Sequence, residues 1–330
     1  MKDSPLVSFL ISAYNEELYI RECIDSCLNQ THCHIEIIML NDGSTDRTSE
    51  IINLNYKKNP KVKIIELEKN IGKVNGFNLA FAASNGKYLA LMGADDICYP
   101  RRIEISLKHL NSKYGLVCSD LDKINSYGEI IERNIVSNQY GKLAREPFST
   151  KELIEKPKVY GGTIILSRQI ADKLFPLDIN LSHEDWYIPI KASLHTQIGY
   201  INEPLIAYRL HANNSSSNSE KILYNYAKWL YLNTRNIAYY RYIIELVEKF
   251  AIDTDVDEIR LHLARSLLLK TNDSLKTYYE YLPQIKSLKR KLLFSLHLFP
   301  YSVYFLVMLR RLKNYSIKKT AKIFALKIKC

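Results

Sequence analysis

Leu6-Val7-Ser8-Phe9-Leu10-Ile11-Ser12-Ala13 is an apolar run, closed by Pro5 on one side and by the polar group Tyr14-Asn15-Glu16 on the other. A run of that length between turn residues reads as a strand buried on both faces, as in parallel sheets. Asn15 is placed to cap the following helix, in which Ile20, Cys23, Ile24, Cys27 and Leu28 recur at helical spacing. The same unit then repeats. Ile35–Leu40 runs into the turn Asn41-Asp42-Gly43 and a helix over Ser44–Tyr56. Val62–Leu67 leads through Asn70-Ile71-Gly72 to a helix ending at Ala83, and Tyr88–Met92 stops abruptly at Gly93. Strict alternation over about the first hundred residues predicts a doubly wound α/β sheet. Such sheets bind ligands beyond the carboxyl ends of their strands. Tyr14-Asn15-Glu16, Asp42-Gly43-Ser44 and Ala94-Asp95-Asp96 all fall at those ends.

Further along, strands are expected at Leu116–Leu121, Thr163–Leu166 and Gln197–Tyr208, with helices near Thr150–Glu155 and Glu184–Leu194. The polar run Asn213–Ser219 reads as a linker. It divides a domain over residues 1–218 from a basic, helical, tyrosine-rich region over 219–330. The 330 residues are 47% hydrophobic and 25% charged, an ordinary globular composition with a real core. A formal charge of +11 favours phosphorylated small molecules, anionic lipid or nucleic acid as company. The six cysteines form no CxxC pair, so buried thiols in a reducing cytoplasm fit better than disulfides or zinc. The N-terminal stretch lacks a small-residue cleavage site and is read as the first strand, not as a signal peptide.

Several side chains could carry chemistry. Adjacent carboxylates at a strand end, as at Asp95-Asp96, call for a divalent cation that takes oxygen ligands; a helix N-cap pair accounts for them equally well. Asp42 could accept hydrogen bonds from a base or ribose, or simply form an Asx-turn. Glu184 and Asp185 offer a general base, or a polar helix start. His211 offers a metal or phosphate partner, or a surface residue without a role.

Taken together, these stretches resemble the family 2 glycosyltransferases of the GT-A fold. The resemblance is carried by Tyr14-Asn15-Glu16, Asn41-Asp42-Gly43-Ser44-Thr45-Asp46, Asn70-Ile71-Gly72-Lys73, Ala94-Asp95-Asp96, Glu184-Asp185-Trp186 and Tyr208-Arg209-Leu210-His211, in that order over about Leu6–Ser217. It implies a Rossmann-like mixed sheet of GT-A type and an inverting transfer of a hexosyl or N-acetylhexosaminyl group. The donor would be a nucleotide diphosphate sugar, most commonly a uridine diphosphate sugar. By the same resemblance Ala13, Tyr14, Asn15, Glu16, Asp42, Lys73 and Asp95 line the nucleotide-sugar site. Asp95, Asp96 and His211 hold a divalent metal, Mn2+ or Mg2+. Asp185 is the catalytic base and Glu184 orients the acceptor, a growing or lipid-linked glycan of surface polysaccharide synthesis (O-antigen or capsule). One departure stands out: many relatives carry aspartate where this chain has Gly93, which thins the acidic motif. Acceptor specificity is expected in Asn125–Gly162.

The basic tail adds a possible site of attachment. Lys289-Arg290-Lys291 precedes Leu292–Leu309, whose Ser295, His297, Pro300 and Ser302 favour a buried or interfacial hairpin over a membrane span. The last segment gathers Ile317, Ala321, Phe324 and Ile328 on one face among lysines. That suits a helix on an anionic membrane surface, at the inner face of the cell membrane, or a solvated helix packed on its own domain. Three other functions compete. A nucleotidyltransferase would not need Glu184-Asp185 so late in the chain, a non-catalytic nucleotide-sugar-binding protein would fit the thinned acidic motif, and nucleic-acid binding lacks an aromatic stacking platform. No nucleic-acid partner is expected.

Overall fold

The computed structural model describes residues 4–141, 148–155, 159–178 and 184–211, together with 214, 242, 243, 245 and 249. Four strands, β1 (Val7–Ala13), β2 (Ile35–Asn41), β3 (Val62–Glu66) and β4 (Tyr88–Met92), pair in parallel in the order β3-β2-β1-β4. Helices α1 (Ile20–Leu28), α2 (Thr48–Tyr56) and α3 (Lys73–Ala83) make the crossovers. Strand side chains alternate between faces. Leu10, Ile38, Leu89 and Leu91 therefore enter one core layer with Val74 and Phe77 of α3. Phe9, Ile11, Ile37, Met39 and Met92 enter the other with Ile20, Cys23 and Ile24 of α1.

The rest of the sheet is mixed. After β5 (Ile97–Cys98) and α4 (Arg102–His109) comes the long strand β6 (Tyr114–Ile124), then β7 (Ile130–Glu132), α5 (Ile135–Tyr140) and α6 (Thr150–Glu155). A 3-10 turn at Gly161–Thr163 leads into β8 (Ile165–Ser167), α7 (Arg168–Leu174), α8 (Glu184–Ser193) and β9 (Gln197–Arg209). The sheet continues from β4 as β8-β6-β9-β5, with β7 on β6; β8 is antiparallel to β4 and β6, whereas β9 runs parallel to β6. This is the mixed α/β sheet expected. Because strand order reverses beside β1, the loops after β1 and β4 open at the switch point where such sheets bind ligands.

Two local readings are corrected. Asn15 does not cap α1, which starts at Ile20; its Oδ1 accepts the Thr45 amide instead, at 2.8 Å. Nor does α2 begin at Ser44, because Ser44–Arg47 is held by the loop after β1. Ser44 Oγ accepts the Asn15 amide, Asp46 Oδ2 that of Glu17, and Glu17 Oε2 that of Arg47. Of the expected helical region 219–330 only 242, 243, 245 and 249 are described, each in helix; the 292–309 hairpin and the basic terminal helix lie outside the described residues. Within that region, Ile243 is buried in the first core layer and Tyr242 meets the Tyr187 ring at 5.0 Å. Among the described residues no helix is long and apolar enough to cross a membrane.

Leu10 is fully buried at the centre of the parallel strands, opposite Ile38 and Leu91. Leu10→Ala should cost about 2–5 kcal/mol of stability, through lost transfer energy and the cavity left behind. Urea unfolding of the two proteins measures it.

Candidate active site

One side of the candidate site is built where the loops after β1 and β2 lock together. Besides the contacts above, Thr48 Oγ1 accepts the Glu16 amide at 2.8 Å. Asn15 takes a left-handed φ of 58°, which turns the chain sharply after the strand. Asp42 is buried, and its two oxygens accept the amides of Ile71 at 2.7 Å and Gly72 at 2.9 Å. It thereby fixes the loop that begins α3. Gly43, at φ 66°, is required there: a Cβ would fall 2.6 Å from the carbonyl carbon of Lys69. Ala13 is buried and Tyr14 exposed.

At the end of β4 the two adjacent aspartates diverge. Asp95 Oδ2 meets His211 Nε2 at 3.0 Å and accepts Asn214 Nδ2–H at 2.9 Å. Glu16, Asp95 and His211 each offer a ligand atom within 4.8 Å of the others. Two carboxylates and an imidazole on three separate segments suit a divalent ion of the manganese type. Burial pushes the Glu16 carboxyl up to about 8; the charges of Asp95 and Asp46 add to this, while Lys73 opposes it. An uncompensated negative charge is thus disfavoured there, which is the condition a cation relieves.

Asp96 instead turns into the fold, where it is 3% exposed and its Oδ1 accepts the Arg209 amide at 2.9 Å. Burial, and then Asp95, raise its carboxyl well above the usual range, against the opposing pull of the Arg209 amide and Lys73. Its other oxygen lies 2.4 Å from where a Cβ on Gly93 would stand. The space that a residue-93 side chain would need is occupied by the Asp96 carboxylate.

Arg209 braces this corner. Its Nε donates to the Asp95 carbonyl at 2.8 Å, Nη1 reaches the carbonyls of Asn125 and Ser126, and Nη2 pairs with Glu22 of α1 at 2.5 Å. The guanidinium lies over the Tyr19 ring, which also meets His211 at 4.7 Å between centroids.

The third cluster stands at the start of α8. Glu184 is nearly fully buried and pairs with Lys73 Nζ at 2.5 Å. Burial pushes the Asp185 carboxyl up to about 7, helped by the Glu184 charge and opposed by Lys73 and by the Asp185 and Trp186 amides. Partial burial opposes the charge on Lys73, whose side chain stays about half exposed, but Glu184, Asp185 and Asp95 outweigh it and hold the ammonium above its ordinary range. The 3-10 turn backs onto this cluster. A Cβ on Gly161 would come within 3.4 Å of Asp185 Cβ and Glu184 Oε1, and one on Gly162 within 3.3 Å of Asp96 Oδ2.

The structure therefore brings Asp95 and His211 together, adds Glu16 to them, and sets Asp96 apart behind Gly93. It places Lys73 against Glu184, next to Asp185. Sequence reasoning gave Arg209 and Asn214 no role of their own, and Gly161 and Gly162 only a place at the end of the expected acceptor-specificity stretch. The Gly-Gly doublet before an apolar run was a readable turn signal. For Arg209, a charge at the end of an apolar strand was the available hint.

The family model for glycosyl transferase family 2 matches residues 8–175. An uncharacterized glycosyltransferase of Haemophilus influenzae is 34% identical over 229 residues, covering 66% of this chain and 69% of that protein. Chondroitin synthase of Pasteurella multocida is 41% identical over 114 residues, 34% of this chain and 12% of the synthase. The crystal structure of S. aureus TarS 1-349 with UDP-GlcNAc matches with a TM-score of 0.54 at 16% identity, over 85% of this chain and 80% of that one. The mannosyltransferase PcManGT from Pyrobaculum calidifontis, in complex with GDP-Man and Mn2+, matches with a TM-score of 0.53 at 14% identity, over 96% and 89%. At such identities the two structures speak for the fold, a GT-A-type mixed sheet. The family match runs from β1 through α7, across the strand ends that carry Glu16, Asp42 and Asp95, and the chain belongs to glycosyl transferase family 2.

Proposed function

We propose that this chain is an inverting glycosyltransferase. It moves a hexosyl or N-acetylhexosaminyl group from a nucleotide diphosphate sugar, with uridine as the first choice of nucleoside, to a hydroxyl of a growing or lipid-linked surface glycan. The observation that carries this reading is Asp185: a carboxylate held near 7 by burial and by Glu184, across a glycine turn from the acidic end of β4. A base of that strength is matched to neutral pH. Asp185 would take the acceptor hydroxyl proton as the oxygen bonds to the anomeric carbon and the bond to the diphosphate oxygen breaks. Attack opposite the leaving group inverts the configuration.

Ala13, Tyr14 and Asn15 would line the nucleotide, beside the Asp42-held loop. Asp95, Glu16 and His211 would hold a divalent ion, whose charge offsets the negative charge growing on the diphosphate. Asp96 would shape the turn behind them. The donors named with TarS and PcManGT support a nucleotide diphosphate sugar. The likeness to chondroitin synthase supports a glycan acceptor. The lysine-rich tail would hold the enzyme at an anionic membrane surface, close to a lipid-linked acceptor.

Asp185→Asn should lower transfer by about 10²- to 10⁴-fold, while UDP binding in calorimetry persists. Because the base works only when deprotonated, wild-type kcat/KM should rise as pH increases to about 7 and then level, and the variant should lose that limb. Unaltered turnover in Asp185→Asn would remove it from the base role. His211→Ala should weaken Mn2+ binding by at least the ~10- to 100-fold that loss of a merely supporting partner costs. Asp96→Asn should weaken it far less, and the reverse order in titration calorimetry would exchange their roles. Deleting residues 289–330 should shift the protein from the membrane fraction to the supernatant; equal fractionation would refute the tail's role.

A further inference from the structure

Lys73 is the first residue of α3, at the positive end of its helix dipole, where a cation is disfavoured. Its placement is explained by its partner. Glu184 opens α8, where an acidic residue is favoured, but its carboxylate is nearly fully buried and needs a compensating charge. Lys73 Nζ supplies it at 2.5 Å, with the ammonium also 5.7 Å from the centre of the Phe77 ring. From the other side, the Asp42 carboxylate grips the amides of Ile71 and Gly72, the two residues before Lys73. A continuous set of contacts therefore runs from the end of β2, through the start of α3, to the start of α8.

We propose that Lys73 is a positioning residue for the base: its ion pair with Glu184 fixes the first turn of α8, and with it Asp185, so that the Asp42-held donor loop and the acceptor-side base are ordered together. This role rests on the glycosyltransferase reading above and differs from that of a lysine whose charge is spent on the diphosphate. Losing Lys73 removes the ammonium that Glu184 holds at 2.5 Å, and with it the contact that seats Asp185 on the first turn of α8. The other charged side chains on elements packed against α8 have different engagements: Glu152 of α6 accepts from Ser149, Arg168 of α7 binds Ser84 and Gly86, and Arg209 of β9 binds Asp95 and Glu22. Lys151, Asp172, Lys173 and Glu203 also belong to those elements.

The test is a double-mutant cycle on the full chain. Lys73→Met and Glu184→Gln should each lower kcat by about 10- to 100-fold, the scale of a misplaced reacting group. The double variant should be no worse than either single one, because both remove the same interaction. UDP affinity, measured with Mn2+ by calorimetry, should change little, and Lys73→Arg should restore part of kcat. Additive losses would overturn the proposal, as would a drop in UDP affinity with kcat retained, which would assign Lys73 to the diphosphate. If the wild type turns over none of a panel of nucleotide sugars, the glycosyltransferase reading fails. The same cycle read by urea unfolding still decides the pair: coupling between positions 73 and 184 supports it, and additivity refutes it.

Discussion

Glu16, Asp95, Asp96, Glu184 and Asp185 are gathered at one edge of the sheet, and that crowding of negative charge is the constraint around which the site is arranged. Its cost appears in the raised carboxyls of Glu16, Asp96 and Asp185. Two cations from the chain answer it. Arg209 acts on the β4 side, binding the Asp95 carbonyl and Glu22 while its own amide serves Asp96. Lys73 acts on the α8 side through Glu184. Each of these cations is placed by the backbone of its own segment: β9 ends at Arg209, and the Asp42 grip on Ile71 and Gly72 sets the start of α3, where Lys73 stands. The architecture thus does electrostatic work that the strand ends alone could not.

The parallel half of the sheet was legible because its signals are local. Apolar runs, turn residues and helical spacing marked β1 to β4, and the rule that ligands bind beyond strand carboxyl ends put Glu16, Asp42 and Asp95 near one another. The partners were not legible. Asp96 is turned by a residue 113 positions away, and Asp95 meets one 116 positions away. Spacing along a chain says nothing about such contacts. Asn15 shows the same limit at short range. A capping residue before a helix is a sound local inference, but the Thr45 amide, 30 positions on, competes for the same oxygen and wins. Arg102 is a further instance: a charged residue at the start of α4, it is fully buried, with hydrogen bonds to the Leu91 and Ile164 carbonyls.

Gly93 bears on how such a site tolerates change. Along the sequence, glycine at position 93 leaves the acidic motif after β4 with two carboxylates, Asp95 and Asp96. In three dimensions the vacated volume is filled by the Asp96 carboxylate, which would clash with any side chain at position 93 and is held there by the Arg209 amide. The candidate ligands Glu16, Asp95 and His211 come from the loops after β1, β4 and β9, and a Cβ at position 93 would also stand 3.0 Å from Asp95 Oδ1. Restoring an aspartate at Gly93 would then have to expel Asp96 from its pocket and break its bond to β9. At this strand end the two adjacent aspartates are thus divided, Asp95 turned towards Glu16 and His211 and Asp96 filling the space beside Gly93.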